Sequence, residues 1–385
     1  MRIAQFAESY RPVINGAAVA VVLIADALAA RHHVEVFAPR FPGHTDPPGG
    51  RIVHRFPSYC VPGHADYPLA VPFSPTLASA FRRGAFDVVH THSPFALGQA
   101  GRRWARRAGI PVVMTYHTLY VEYAHYARPI PVGVSRAFLR GVTRRYCNAC
   151  DAIAVPTGPI RDVLLGYGVT RPIAVIPTGL RLRERATVDP AFPRGQLGIP
   201  QNAPLVLFAG RLAPEKNLKL LFAAFTRVLR EIPDAWLLLA GDGPERDACQ
   251  RWAAETGAPE RVVLAGFIAP ERMPPVYAAA DVFAFCSRTD TQGMVLIEAK
   301  AGGLPAVAVN AFGPTEIVNN GVDGFLVPDD PDAFGDALVR VLSDADLRGR
   351  MSAAACQDVQ RFSIEETVRA YERLYGQAGT AACHR

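Results

Sequence analysis

Lysine is missing from residues 1–180, which hold 19 Arg against 9 Asp+Glu. The rest of the chain holds 22 Lys+Arg against 26 Asp+Glu. A basic first half thus precedes an acidic second half, behind a net charge of only +6. Such a split points the first half at something anionic. Cysteines are few, seven in all at 60, 147, 150, 249, 286, 356 and 383. Cys147-Asn148-Ala149-Cys150 spells CxxC, but it lacks a second pair, which argues against a metal or redox role. Scattered thiols fit a reducing cytoplasm. The apolar run at Met1–Phe6 is too short for a signal peptide and reads as a strand. No stretch reaches the roughly 18 apolar residues that a membrane span requires. Low-complexity tracts and fixed-period repeats are absent. No motif that reads DNA or RNA accompanies the basic charge, so nucleic acid is not the expected partner.

What is present is the make-up of a folded protein. Half of the 385 residues are hydrophobic and a fifth are charged, and the length exceeds the usual ceiling for one core. Short apolar runs alternate with helical patterns, the mark of parallel α/β architecture. Strands are expected at 3–6, 34–37, 88–91, 112–116, 152–155 and 173–176, then at 205–209, 236–241, 262–265, 282–286, 306–309 and 324–327. A helix is expected from about 19 to 31. Each half is its own doubly wound unit. The boundary falls near Ile176-Pro177-Thr178-Gly179-Leu180, dividing the chain into 1–178 and 179–385. A polar connector runs on to about Pro204, and a last helix at 364–375 is counted with the second domain. That helix buries one face through Val368, Tyr371, Leu374 and Tyr375. The Pro-, Gly- and His-rich segment 41–75 reads as an irregular surface insertion.

Two segments of the second half share one outline. Val206-Leu207-Phe208-Ala209-Gly210-Arg211-Leu212-Ala213-Pro214-Glu215-Lys216-Asn217 is a buried strand, a glycine turn and a helix start, with two cations at the turn. A helix start favours an anion. In the second segment a strand runs through Ser287-Arg288-Thr289-Asp290-Thr291-Gln292-Gly293 into the helix Met294-Val295-Leu296-Ile297-Glu298-Ala299. Gly293 lets a phosphate approach the backbone. Asp290 precedes the helix and Glu298 sits about one and a half turns inside it. The plain alternative makes Arg211 and Lys216 solvated charges, Asp290 a helix cap and Glu298 a surface residue. Yet Glu298 stands in a stretch too apolar for a solvated face, so it needs a partner or a ligand.

These segments, with Gly303-Leu304-Pro305-Ala306-Val307 and Tyr10-Arg11-Pro12-Val13-Ile14-Asn15-Gly16, resemble glycosyltransferase family 4 along essentially the whole chain. The resemblance implies the GT-B fold, two Rossmann-like α/β domains facing across a cleft, with the last helix returning toward the first. It implies retention of anomeric configuration, and no metal or other cofactor beyond a nucleoside-diphosphate sugar. By the same resemblance Arg211 and Lys216 hold the diphosphate, Glu298 holds the ribose and Asp290 lies near the transferred sugar. Gly16 lets the first loop approach the donor phosphates. Gln292, Gly293, Met294 and Val295 complete the donor set. The family commonly has Glu where this chain has Asp290, one methylene shorter. The Thr-Gln-Gly wording resembles the branch that glycosylates lipids such as diacylglycerol, with UDP-glucose as the favoured donor.

Thr115-Tyr116-His117-Thr118-Leu119-Tyr120-Val121-Glu122-Tyr123 resembles the Tyr-His-Thr segment of lipid-directed transferases. His117 is expected near the reacting sugar, with Tyr120, Tyr123 and His92 of Thr91-His92-Ser93-Pro94 toward the acceptor. Arg136, Arg140 and Arg144 recur every four residues on one helix face, and Arg102, Arg103, Arg106 and Arg107 flank Trp104. Basic helices of this kind suit an anionic membrane surface at the inner face of the cell membrane. Competing readings are a GDP-mannose-dependent mannosyltransferase, a sugar-nucleotide 2-epimerase on the same fold and a non-catalytic membrane-binding module. A dinucleotide oxidoreductase also competes, through the G-x-G fragment at Gly241-Asp242-Gly243.

Overall fold

The computed structural model of the chain describes residues 1–47, 50–61, 64–126, 130–182 and 191–383. It divides into two compact units. Unit 1 comprises Met1–Gly179 and Ile364–Arg385, and unit 2 comprises Leu180–Ser363.

Unit 1 is built on β1 (Arg2–Phe6), β2 (His33–Pro39), β3 (Val53–Phe56), β6 (Val88–Thr91), β7 (Val112–Thr115), β8 (Ala152–Val155) and β9 (Ile173–Val175), with β4 (Ser58–Val61) and β5 (His64–Ala70) as a separate hairpin. The sheet order is β3-β2-β1-β6-β7-β8-β9, and every pairing is parallel. Parallel strands joined by crossover helices are covered on both faces, so their interior residues are continuously apolar. β8, for example, is buried at all four positions. The chain walks outward from β1 to β3 and then returns to β6 on the other side of β1. The switch point of the unit therefore lies at the C-terminal ends of β1 and β6, where ligands of open α/β sheets sit.

Segment 41–75 departs from expectation. It contributes the edge strand β3 and the antiparallel β4–β5 hairpin. β3 carries little apolar alternation because side-chain bonds hold it instead. His54 Nε2 lies 2.6 Å from Glu35 Oε2, and its ring stacks on Phe37. The Arg55 guanidinium donates to the Asp46 carboxylate.

The last helix, Ile364–Cys383, also differs from the division read from the sequence, because it belongs to unit 1. Its expected face is the reason. Val368, Tyr371, Leu374 and Tyr375 are buried in one cluster with Ile24, Leu28, Val88 and Val113. The Tyr371 hydroxyl lies 2.9 Å from Thr115 Oγ1 and the Tyr375 hydroxyl 2.8 Å from His90 Nδ1, so both tyrosines bury their rings without orphaning a hydroxyl.

Unit 2 has β10 (Leu205–Ala209), β11 (Trp236–Ala240), β12 (Val262–Gly266), β13 (Val282–Phe285), β14 (Ala306–Val309) and β15 (Gly324–Val327), in the parallel order β12-β11-β10-β13-β14-β15. Helices Leu218–Glu231 and Pro331–Ser343 cover one face, and Met273–Ala279 and Met294–Ala301 the other. Its switch point lies between β10 and β13. The two segments singled out in the sequence leave the sheet there. The connector at 183–190 lies outside the described residues.

Tyr371 is fully buried. Tyr371→Ala should lower the stability of unit 1 by about 3–5 kcal/mol, the range for deleting a buried aromatic ring. Urea titration followed by circular dichroism reads the loss, and an unchanged midpoint would show that the last helix does not support the sheet.

Candidate active site

At the switch point of unit 2, backbone meets backbone. A Cβ on Gly241 would stand 1.8 Å from Gly210 O, and one on Gly243 would stand 2.4 Å from Leu212 O. Leu212 N donates to Asp242 O at 2.9 Å, and Glu245 N donates to Leu212 O at 2.9 Å. The Gly-Asp-Gly fragment is thus a packing surface for the Gly210–Leu212 turn, which accounts for both glycines without a dinucleotide. On the other side Ser287 Oγ donates to Glu215 O at 3.0 Å, and Asn217 Nδ2 donates to Asp329 Oδ1 at 2.8 Å.

These bonds bring two expected residues together. Lys216, ending the short 3-10 turn Pro214–Lys216, places Nζ 2.8 Å from Asp290 Oδ1 and 2.7 Å from Oδ2. Each side chain is 20% exposed, so the pair is shielded from much of the screening that weakens surface ion pairs. Asp290 does not cap the helix at Met294. That end is capped by Gly293 in the left-handed region (φ 79°), with no side-chain cap and no acid in the first turn. Its N–H dipoles are therefore not neutralised by a local carboxylate. Gln292 is buried, and Gly313 packs against its backbone, where a Cβ would stand 2.6 Å from Gln292 N. Met294 and Val295 are half-buried in the first helical turn, and Arg211 is exposed just past the Gly210 turn.

Glu298 has the partner its apolar surroundings require. Tyr277 donates its hydroxyl to Glu298 Oε2 at 2.7 Å. Burial raises the Glu298 carboxyl pKa, and the Tyr277 bond works against that rise. The sequence reading did not name Tyr277, which lies 21 residues upstream of Glu298. Two Asp-x-Asp spellings, Asp330-Pro331-Asp332 and Asp344-Ala345-Asp346, resemble metal motifs. The first aspartate of each caps a helix instead, accepting from Ala333 N at 2.9 Å and from Leu347 N at 2.8 Å.

In unit 1, Gly16 opens the helix Gly16–Ala29 behind Asn15, whose side chain accepts from Ala18 N. Gly16 is exposed, and nothing stands within 4 Å of where a Cβ would be. His92 and His117 follow the adjacent strands β6 and β7 and meet, with His92 Nδ1 2.9 Å from His117 Nε2. Tyr120 packs edge-on against Phe95 at 4.8 Å and against Tyr116 at 5.4 Å. Tyr123 is half-buried on the 3-10 turn Tyr120–Tyr126. Two groups escaped the sequence reading. His90 accompanies His92, its ring centroid 4.2 Å away. Glu8, just past β1, accepts from Leu97 N at 2.7 Å at the start of the helix Ala96–Ala108. Its place at the sheet's switch point was the signal that would have found it. The CxxC thiols are both free and buried, and burial pushes Cys147 up to about 12, which makes it unreactive. Trp104 is not a surface partner for the arginines around it, because its ring packs among Phe6, Phe37, Phe56 and Phe81.

Burial lowers His90 to about 3, His117 to about 4 and His92 well below its ordinary value. These rings stay neutral in the fold but protonate near pH 6.5 once unfolded. The unfolded chain therefore binds the extra protons, and stability must fall as pH drops from 6.5 toward 4. Glu8 opposes this, since burial raises it to about 7 and its contribution falls as pH rises from 4.5 to 7. Burial raises Glu298 and Glu245 as well, so three carboxyls oppose three histidines. The histidine shifts are the larger set and leave a net loss on acidification, about 1.4 kcal/mol per pH unit for each net proton. Urea midpoints at pH 7, 6 and 5 should decline in that order, and a flat series would show that the histidines are solvated.

The chain matches known proteins along its length. The sequence profile described as Glycosyltransferase Family 4 covers residues 14–184, and that described as Glycosyl transferases group 1 covers residues 191–358. An alpha-monoglucosyldiacylglycerol synthase of Streptococcus pneumoniae is 30% identical over 368 residues, 90% of this chain and 80% of that protein. One of Acholeplasma laidlawii is 26% identical over 97% of this chain and 96% of that protein. A GDP-mannose-dependent alpha-mannosyltransferase of Mycolicibacterium smegmatis is 31% identical over 88% and 87%. Among solved structures, a sucrose-phosphate synthase of Thermosynechococcus elongatus superposes with a TM-score of 0.80 at 23% identity, covering 99% of this chain and 100% of that one. Anabaena HepE in complex with UDP-glucose gives 0.76 at 21% identity, covering 97% and 99%. The paired parallel sheets have the GT-B fold, and the chain belongs to glycosyltransferase family 4.

Proposed function

We propose that this glycosyltransferase moves a glucosyl group from UDP-glucose to the hydroxyl of a membrane lipid such as diacylglycerol, with retention of configuration and without a metal ion. The observation that carries the donor half is the Lys216–Asp290 pair beside the helix start at Gly293. An ammonium has three donors, and Asp290 engages it through two oxygens, fixing its position before any ligand arrives. A preorganised cation and uncapped N–H dipoles stabilise a leaving diphosphate without reorganisation, and Arg211 adds a second cation at the same turn. Glu298, set by Tyr277, takes the ribose hydroxyls. Asp290 stands near the transferred sugar with its reach limited by its bond to Lys216. Unit 1 supplies His117, His92, Tyr120 and Tyr123 for the acceptor. The departing phosphate oxygen takes the acceptor proton on the same face of the sugar.

The lipid half rests on the two diacylglycerol-directed relatives and on the helix Val132–Cys147. That helix exposes Val132, Val134 and Phe138, the last at 67%, beside exposed Arg136, Arg140 and Arg144. Apolar side chains among cations suit the headgroup region of an anionic bilayer, at the inner face of the cell membrane. No helix among the described residues is long and apolar enough to cross a membrane. The mannosyltransferase relative supports a second reading, in which GDP-mannose is the donor.

Purified protein offered a panel of sugar nucleotides, with diacylglycerol in anionic vesicles and with soluble acceptors, tests both readings. UDP-glucose should give an α-glucosyl lipid, and chelation should leave the rate unchanged. Conversion of the donor without any acceptor would identify an epimerase instead. Glu298→Ala and Lys216→Ala should each abolish transfer while leaving the fold intact by circular dichroism, and full activity in either variant would sink the donor-site assignment. Replacing Arg136, Arg140 and Arg144 together by Glu should release the protein from phosphatidylglycerol vesicles in a flotation assay. Undiminished binding would remove this helix from the membrane contact.

A further inference from the structure

His92 and His117 form a neutral pair whose geometry restricts where the protons sit. Strands β6 and β7 are parallel neighbours with Thr91 opposite Met114, so both histidines emerge at the same edge of the sheet. Their rings lie edge to edge and close to coplanar, 5.2 Å between centroids at 21°, and they are 5% and 8% exposed. The facing atoms, His92 Nδ1 and His117 Nε2, lie 2.9 Å apart. At that distance one nitrogen carries a proton and the other is bare.

Two arrangements satisfy the contact. In the first, His117 donates from Nε2, His92 accepts at Nδ1, and the proton of His92 is left on Nε2. In the second, His92 donates from Nδ1, its Nε2 is bare, and the proton of His117 sits on Nδ1. His92 Nε2 decides between them, because it is buried and has no hydrogen-bond partner among the described residues. An orphaned buried N–H is costlier and rarer than an under-satisfied acceptor. The second arrangement avoids it. The ring of His92 cannot swing away to escape, because His90 lies 4.2 Å behind it. His90 is itself fixed at both nitrogens, with Nε2 2.6 Å from Thr115 Oγ1 and Nδ1 2.8 Å from the Tyr375 hydroxyl.

We propose that His92 is a positioning residue that holds His117 as its Nδ1–H tautomer, which leaves His117 no unengaged bare ring nitrogen with which to act as a general base. This assignment rests on the glycosyl-transfer reading for the role of His117, but not for its tautomer. It moves His92 from the acceptor contacts to the support of the residue that makes them. The last helix of the chain takes part through Tyr375, which braces His90 and hence the pair.

The tautomer is read directly from long-range proton–nitrogen spectra of protein labelled with [15N]histidine, with His117→Gln and His92→Leu used for assignment. Both His92 and His117 should show the pattern of a ring protonated at Nδ1 in the wild-type protein. A His117 protonated at Nε2 overturns the proposal whether or not the protein turns over a sugar nucleotide. In the transfer assay, His92→Leu should lower kcat by about 10- to 100-fold, the scale expected when a reacting group loses its alignment, with KM for the sugar nucleotide within twofold of wild type. His92→Asn, whose amide N–H can stand where Nδ1–H stood, should recover to within about threefold of wild type. Equal losses in both variants, tracking their melting temperatures, would mean that His92 is only packing. Absence of turnover in the wild type with every sugar nucleotide overturns the glycosyl-transfer reading and leaves the spectra to decide the tautomer.

Discussion

The proposed donor site depends on two backbones touching. Gly241 and Gly243 leave no side chain between the loop after β11 and the turn at Gly210–Leu212, and that turn is fixed by main-chain hydrogen bonds. Because the turn is rigid, Lys216 leaves it in one direction. Because Gly313 admits the Gln292 backbone in the same way, the loop that carries Asp290 is rigid as well. A salt bridge between two flexible surface side chains loses much of its energy to their ordering. Here the backbone supplies most of that ordering, so Lys216 and Asp290 meet at 2.7 Å without depending on their own rotamer preferences. Charge placed in advance is what stabilises a leaving group electrostatically.

Unit 1 meets the same demand by another route. Its polar residues at the C-terminal edge of the sheet are buried, and each buried polar group needs a partner. The partners come from far along the chain. Thr115 and His90 bond to Tyr371 and Tyr375, which arrive on the last helix more than 250 residues later. The helix therefore does two things with one face. Its aliphatic residues and aromatic rings close the core over helix Gly16–Ala29, and its hydroxyls brace the histidines. Docking of that helix and geometry at His92 and His117 are thereby coupled within one unit.

Much of this was legible in the sequence because parallel sheets bury both faces of their strands. Continuous apolar runs such as Leu205–Ala209 and Ala152–Val155 then mark the strands directly. The edge strand β3 was not legible, because Val53–Phe56 is held by Glu35, Asp46 and a stacked histidine and not by an apolar pattern. Asp290 and Lys216 stood out in the sequence through their motifs, but nothing in their spacing shows a bond across 74 positions. Glu298 called for a partner because its neighbours are apolar. That the partner is Tyr277 follows only from the packing of helix Met273–Ala279 against Met294–Ala301.

The sequence by itself determined the two doubly wound units, the two segments that leave the second sheet at its switch point, and the apolar face of the last helix. Those depend on local periodicity and on glycine positions, which a linear reading captures. Only the tertiary structure decided which unit that helix joins, which carboxylate pairs with Lys216, and that His92 faces His117. Each of these is a contact between residues distant in the chain. Sheet order places them side by side, and sheet order follows from how the helices cover the strands, not from any one segment.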